Sequence, residues 1–295
     1  MRNRVCVAIL AAVSVTVVSC GGSTSQSSGG AKPKHHPPET NPATAGRRVA
    51  LRTYHVGECV TLPPESASST KTKTVACTKP HDLEIAGQAT VGADVVDYPS
   101  TDEWKVLITQ LCDPVVAQYL GGTIDPRGRF LTKAIHPLQT MWDLTTPHSL
   151  DCAVATRPQR QVDFDHPPRL TGAARGATQT FTFPVGSCIP IPASGGIALP
   201  VECSEPHSFE VTGVADIAGR IDHLPGAHEL DAFLGPTCST FAVQYLGHPL
   251  DGDLTSWLTI GDQSWNAGRR QMECLVAHGP VGQHSAVSGS IRSGA

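Results

Sequence analysis

Two short phrases carry the side chains best suited to chemistry. They are Cys77-Thr78-Lys79-Pro80-His81-Asp82-Leu83-Glu84 and Cys203-Ser204-Glu205-Pro206-His207-Ser208-Phe209-Glu210. Each sets a histidine three residues before a glutamate. Imidazole and carboxylate are metal ligands and acid-base groups alike. On a helix, residues at this spacing would share a face. Here Ile85-Ala86-Gly87 and Val211-Thr212-Gly213 follow, and that context reads as strand, in which the two side chains face opposite ways. One pair then does not readily hold one metal ion. The expected role of His81, Glu84, His207 and Glu210 is structural: the imidazole fixes the Pro-His turn against backbone, and the glutamate pairs elsewhere. A metal or binding role shared by the four is the alternative. Catalytic sites usually diverge between duplicated copies, and the block is the same in both, which favours structure.

Other enzyme patterns are missing. There is no His-Glu-x-x-His helix, no Gly-x-Ser-x-Gly elbow, no phosphate loop and no Cys-x-x-Cys pair. No catalytic residue, metal or cofactor is therefore expected.

The two blocks belong to a larger repetition. Cys59, Cys77, Cys112 and Cys152 are answered by Cys188, Cys203, Cys238 and Cys274, and the middle interval is 35 residues in both sets. Val56-Gly57-Glu58-Cys59 matches Val185-Gly186-Ser187-Cys188. Gln118-Tyr119-Leu120-Gly121 matches Gln244-Tyr245-Leu246-Gly247. Three ordered matches mark a tandem duplication of one disulfide-framed module.

Each copy supplies the elements that must position its block. Thr53–Val56 and Thr180–Phe183 read as short strands before the first cysteine. Thr74–Cys77 and Leu199–Cys203 bring the second cysteine back beside it. Leu83–Val91 and Phe209–Ala215 read as third strands. The main helix follows. Trp104, Leu107, Ile108, Leu111, Cys112, Val115, Val116, Tyr119 and Leu120 recur at helical spacing, as do Leu230, Phe233, Leu234, Cys238, Phe241, Ala242, Tyr245 and Leu246. Pro114 and Pro236 predict a kink or short break. Met141–Ala155 and Trp257–Ala277 read as closing hairpins, with Trp142 and Trp265 in the core. This arrangement favours Cys59–Cys77, Cys112–Cys152, Cys188–Cys203 and Cys238–Cys274. Four cysteines per module allow three connectivities, and spacing alone does not choose among them. The expected fold is α+β: two tandem repeats, each a small antiparallel sheet packed on one main helix and held by two disulfides.

The N-terminus reads as an export signal over residues 1–19. Arg2 and Arg4 precede an apolar run, Val5–Val18, too short to span a bilayer comfortably. Val17-Val18-Ser19-Cys20 resembles a bacterial lipobox, which makes Cys20 the expected lipidation site and new N-terminus. Residues 20–48 are a Gly-, Ser-, Pro- and Lys-rich tether with no large apolar side chain before Val49. A flexible chain of ~27 residues reaches ~28 Å. Module 1 is expected over 49–156, a linker over 157–179, module 2 over 180–279 and a disordered tail over 280–295. Export to an oxidising compartment suits the eight later cysteines.

The composition narrows the partners. Net charge is −4, aromatic content 5% and charged content 16%. No basic patch suits nucleic acid, and no apolar stretch after Cys20 spans a membrane.

The Val-Gly-x-Cys start, the Cys-x-x-Pro-His-x-x-Glu block, the Tyr-Leu-Gly phrase and a late Trp before a final Cys together resemble the septum formation domain. That domain occurs in secreted and membrane-anchored proteins of actinobacteria. The resemblance covers about 49–155 and 181–278. It implies a link to cell division and brings no catalytic residue set or defined ligand. The combined expectation is a protein on the outer face of the plasma membrane, held there by lipid. It would be a non-enzymatic binding or scaffolding module with envelope or division proteins as partners. The alternatives are a metal-dependent envelope enzyme using the two His-x-x-Glu blocks, and a ligand-sensing lipoprotein.

Overall fold

The computed structural model describes residues 54–62, 72–144, 147–164, 167–191, 198–277 and 286–292. The signal, Cys20 and the tether lie outside the described residues, as do 280–285 and 293–295 of the expected tail.

Two α+β modules follow one another. Module 1 has strands β1 (Cys59–Thr61), β2 (Lys73–Val75) and β3 (Leu83–Thr90), then helix α1 (Thr101–Leu120). Strand β4 (Phe130–Ile135), a short helix α2 (Gln139–Trp142) and strand β5 (Ser149–Thr156) complete it. Its antiparallel sheet runs β2-β1-β3-β5-β4. Module 2 has β6 (Cys188–Ile189), β7 (Phe209–Asp216), α3 (Ala227–Leu246), β8 (Leu254–Trp257), α4 (Asp262–Asn266) and β9 (Gln271–Ala277). Its sheet runs β6-β7-β9-β8, the same order without a partner for β2. There, Val201 makes a single bridge to Cys188. Four disulfides close as 59–77, 112–152, 188–203 and 238–274, all within one module.

Strand alternation divides each sheet into two apolar faces. Leu150, Cys152 and Val154 of β5 meet Trp104, Cys112, Val116 and Tyr119 of α1. Leu83, Ile85, Ala153 and Ala155 cover the other face with Tyr54 and Val60. In module 2, Met272 and Cys274 meet Leu230, Leu234 and Cys238, while Val211 and Leu275 join Phe183 and Ile189 opposite. The helix approaches the sheet closely at one point. A Cβ on Gly87 would lie 2.7 Å from Val115 Cγ1, and one on Gly213 2.6 Å from the Phe241 ring. Both glycines sit at a register shift in the β3–β5 or β7–β9 ladder.

The structure corrects several sequence expectations. Neither proline breaks its helix: α1 and α3 run through Pro114 and Pro236 without interruption. Each proline removes one N–H, and a disulfide two residues away, at Cys112 before Pro114 and at Cys238 after Pro236, pins that turn to the sheet. The runs before Cys59 and Cys188 are not strands among the described residues. Pairing begins at the cysteines, after the tight turns at Gly57 and Gly186. The closing hairpins begin further back, at β4 and β8. Trp142 and Trp265 lie on the short connecting helices and are buried there.

The modules are joined by buried charge. Asp125 follows α1; its carboxylate accepts from Ser264 Oγ at 2.7 Å and meets Arg269 Nη1 at 3.4 Å. Arg269 is forked to Glu273 at 3.0 and 3.2 Å, and Arg127 reaches Glu273 at 3.2 Å and the Thr259 carbonyl at 2.6 Å. Asp125, Arg269 and Glu273 are each about 1% exposed. Burial pushes the Arg127 guanidinium below its ordinary value, against the pull of Glu273.

Candidate functional site

The two His-x-x-Glu blocks form matching buried centres. His81 and Glu84 are 0% and 1% exposed, and His207 and Glu210 are 1% and 0%. Contrary to the strand argument, each histidine and glutamate come together. In each block the imidazole, the carboxylate and the first cysteine's sulfur offer atoms within 4.8 Å of one another. The reason is local. His81 and His207 precede the strands, in isolated bridges followed by a bend at Asp82 and Ser208, so strand alternation does not carry back to them. Alternation does act on the glutamates. Glu84 pairs opposite Cys59 and Glu210 opposite Cys188, and both side chains point toward the helix.

The helix answers with a phenol. Tyr119 donates its hydroxyl to Glu84, and Tyr245 donates to Glu210 Oε2 at 2.5 Å. Burial, then the bond to Glu210, pushes the Tyr245 phenol up to about 12; the Tyr119 phenol is pushed up still further by the same causes. The repeated Tyr-Leu-Gly phrase therefore does more than end an apolar stripe.

The remaining donors come from segments that sequence reading assigned to a linker and a disordered tail. Leu170 exchanges both backbone hydrogen bonds with His81, and Val287 does so with His207. Two residues on, the N–H groups of Gly172 and Gly289 donate to the Cys77 and Cys203 carbonyls at 2.8 and 2.5 Å. Two further on, Ala174 N–H donates to Glu84 Oε2 and Ile291 N–H to Glu210 Oε1, both at 2.6 Å. Arg175 then lies over the Tyr119 ring and Arg292 over the Tyr245 ring. Each module is thus closed by a clasp. The signal was present in the sequence: Leu170-Thr171-Gly172-Ala173-Ala174-Arg175 parallels Val287-Ser288-Gly289-Ser290-Ile291-Arg292.

The imidazoles are also engaged. His81 Nδ1 lies 2.8 Å from the Lys79 carbonyl and His207 Nδ1 2.9 Å from the Glu205 carbonyl. A carbonyl only accepts, so Nδ1 donates. His207 Nε2 lies 3.3 Å from Glu210 Oε1, a contact that is a hydrogen bond only with a proton between them. Among the described residues, His81 Nε2 has no hydrogen-bond partner.

This donor set does not fit a metal. The sulfurs of Cys59 and Cys188 are in disulfides and supply no thiolate. The carboxylates already accept two or more internal hydrogen bonds each. The cavity where the modules meet, lined by Arg127, Phe183, Leu199 and Glu273, measures about 20 Å³, room for a water molecule rather than an organic ligand.

The model of a family described as septum formation matches residues 56–274. The chain is similar to an uncharacterized membrane protein of Mycobacterium tuberculosis, found in strains CDC 1551 / Oshkosh and ATCC 25618 / H37Rv. It is 27% identical to each over 237 residues. That stretch is 75% of this chain and 51% of the relatives, so the match spans about half their length. No solved structure matches. Among the described residues, no helix is long and apolar enough to cross a membrane.

Proposed function

The chain belongs to the septum formation family, and from that premise we propose that it acts as a lipid-anchored, non-enzymatic binding or scaffolding protein of the cell envelope. One observation carries this reading. The His-Glu-Tyr centres, the groups best able to do chemistry, are sealed, and their carboxylates are engaged by donors from their own chain. A general base or metal ligand needs an open position for substrate. These centres hold the fold together and leave the outer surface for partners. The family name supports a role near the division site, and the relatives' description as membrane proteins supports residence at a membrane. Cys20 supplies the anchor, with two or more acyl chains giving stable attachment.

The test combines anchoring with chemistry. Wild-type protein is expected in the membrane fraction with label from a fatty acid on Cys20, and Cys20→Ser is expected to release it. Crosslinking from that fraction should recover envelope proteins. Stoichiometric zinc in the purified protein, lost in His81→Ala and His207→Ala, would overturn the reading in favour of a metal enzyme.

A further inference from the structure

We propose that the small cavity between the modules, where Arg127 and Arg157 meet, binds a single monatomic anion of the chloride class. The site is separate from the His-Glu-Tyr centres and does not depend on what the modules bind.

The charges around this cavity do not balance. Arg127, Arg157 and Arg269 bring three guanidiniums, and Asp125 and Glu273 bring two carboxylates. Arg269 contacts both carboxylates, and Arg127 shares Glu273. Arg157 reaches neither. It follows β5, and its Nε and Nη2 donate to the Gly128 and Phe130 carbonyls, both at 3.1 Å. Among the described residues it has no ion-pair partner. The next carboxylate along the chain, Asp163, accepts from the Gln159 and Arg160 N–H groups, both at 2.9 Å. One positive charge is therefore left over at a half-buried position. Burial pushes the Arg157 guanidinium, like that of Arg127, below its ordinary value. A desolvated cation is costly unless an opposite charge offsets it.

The space suits one such ion. The cavity measures about 20 Å³ and is lined by Arg127, Arg157, Gln159, Phe183, Leu199 and Glu273 among others. That holds one water-sized particle and leaves no room for sulfate or phosphate. Donors are available, because a guanidinium carries five N–H groups. Among the described residues each of the two arginines uses two: Arg127 on Thr259 and Glu273, Arg157 on its two carbonyls. Glu273 is already compensated. Its Oε1 accepts from Arg269 and the Phe183 N–H, and its Oε2 from Arg269 and Arg127. The apolar walls lower the local dielectric and strengthen the attraction. Water also fits, but it is neutral and leaves the surplus charge uncompensated. Arg157 continues from module 1 and Arg127 is tied to Glu273 of β9, so the ion also links the two modules.

The test uses the full chain and chloride itself. At constant ionic strength, exchanging gluconate for chloride at about tenfold its dissociation constant should raise the melting temperature by about 3–6 °C. The chloride NMR line should broaden with protein present; bromide should remove the broadening and sulfate should not. Arg157→Gln takes away the surplus cation and leaves the Arg269 network in place. It should weaken chloride binding at least about tenfold. Gln159→Glu sets a permanent carboxylate on the cavity wall. It should abolish the broadening and melt alike in both salts. This variant keeps both arginines and carries the test if Arg157→Gln does not fold. Wild-type protein that melts alike in both salts and broadens no chloride line holds water alone, which overturns the proposal. Broadening that sulfate removes as well as bromide does, or that survives in Gln159→Glu, places the ion on an open basic surface and overturns it too.

Discussion

Module 1 fills the space under its helix with stacked rings, and module 2 fills the same space mainly with aliphatic chains beside Trp265, Phe233 and Phe241. In module 1, Trp104 stacks on His136 and meets Trp142 and Tyr98 edge-on, while Trp142 stacks on His148. In module 2, Ile217, Ile221, Leu230, Leu234 and Met272 surround Trp265. The entry to the helix differs too. Ser100 and Glu103 form a reciprocal capping box on α1, whereas α3 starts at Gly226 with no side-chain cap. What both copies keep is the two disulfides, the buried glutamate, its tyrosine and its clasp. An apolar core tolerates exchange of one shape for another if volume is kept. A buried carboxylate does not, because every donor around it must be present. Within this one chain, the polar centre constrains the sequence more tightly than the oily core does.

The largest expected effect falls on the buried ion network between the modules, which the two copies do not repeat. Arg269→Ala leaves Glu273 and Asp125 buried without their main cation, and breaking such a buried pair costs about 3–5 kcal/mol. Denaturant unfolding should then split into two transitions, module 2 first. If the single variant unfolds like wild type, the modules are not coupled through this network.

Next are the shared centres. Glu84→Gln and Glu210→Gln keep the shape and replace one accepting oxygen with a donor, leaving a donor facing a donor. Each should cost about 1–3 kcal/mol. The cost should be greater in module 2, where Ser290 and His207 also contact the carboxylate. Equal losses would show that these extra contacts contribute nothing.

A smaller effect belongs to the helix starts. Ser100→Ala should destabilise module 1 by about 1 kcal/mol, and Gly226→Ser should stabilise module 2 by a few tenths. Thermal melts of the two variants should move in opposite directions.

The least stability is at stake in the tyrosines, but the sign is definite. Below the ordinary phenol value of ~10 both folded and unfolded chains keep the proton, and the Tyr245–Glu210 bond contributes in full. Between there and about 12 the unfolded chain ionises while the folded chain does not, so stability falls as pH rises. Phenolate absorbance should show Tyr245 and Tyr119 ionising late, and Tyr245→Phe should remove one late step.

Much of this was legible in the sequence. The cysteine spacing set out the two modules, and helical periodicity from Trp104 to Leu120 and from Leu230 to Leu246 placed the ends of α1 and α3 and missed only the first three residues of each. β4 was missed because Phe130-Leu131-Thr132-Lys133-Ala134-Ile135 alternates weakly and lies among turn residues. The meeting of His81 with Glu84 was missed because a bend, not a strand, connects them. The clasps were missed for a different reason. Leu170–Arg175 and Val287–Arg292 have little hydrophobic patterning, stand at unequal distances from their cysteines, and are held through backbone N–H groups that any residue except proline provides. Only the shared glycine and arginine betray them.

Hydrogen exchange at two backbone amides tests the central claim most directly. If each module is closed by its clasp onto a buried carboxylate, the N–H groups of Ala174 and Ile291 exchange slowly in wild type. They should also become faster selectively, Ala174 in Glu84→Gln and Ile291 in Glu210→Gln. Free-peptide exchange rates at both amides in wild-type protein would contradict that account.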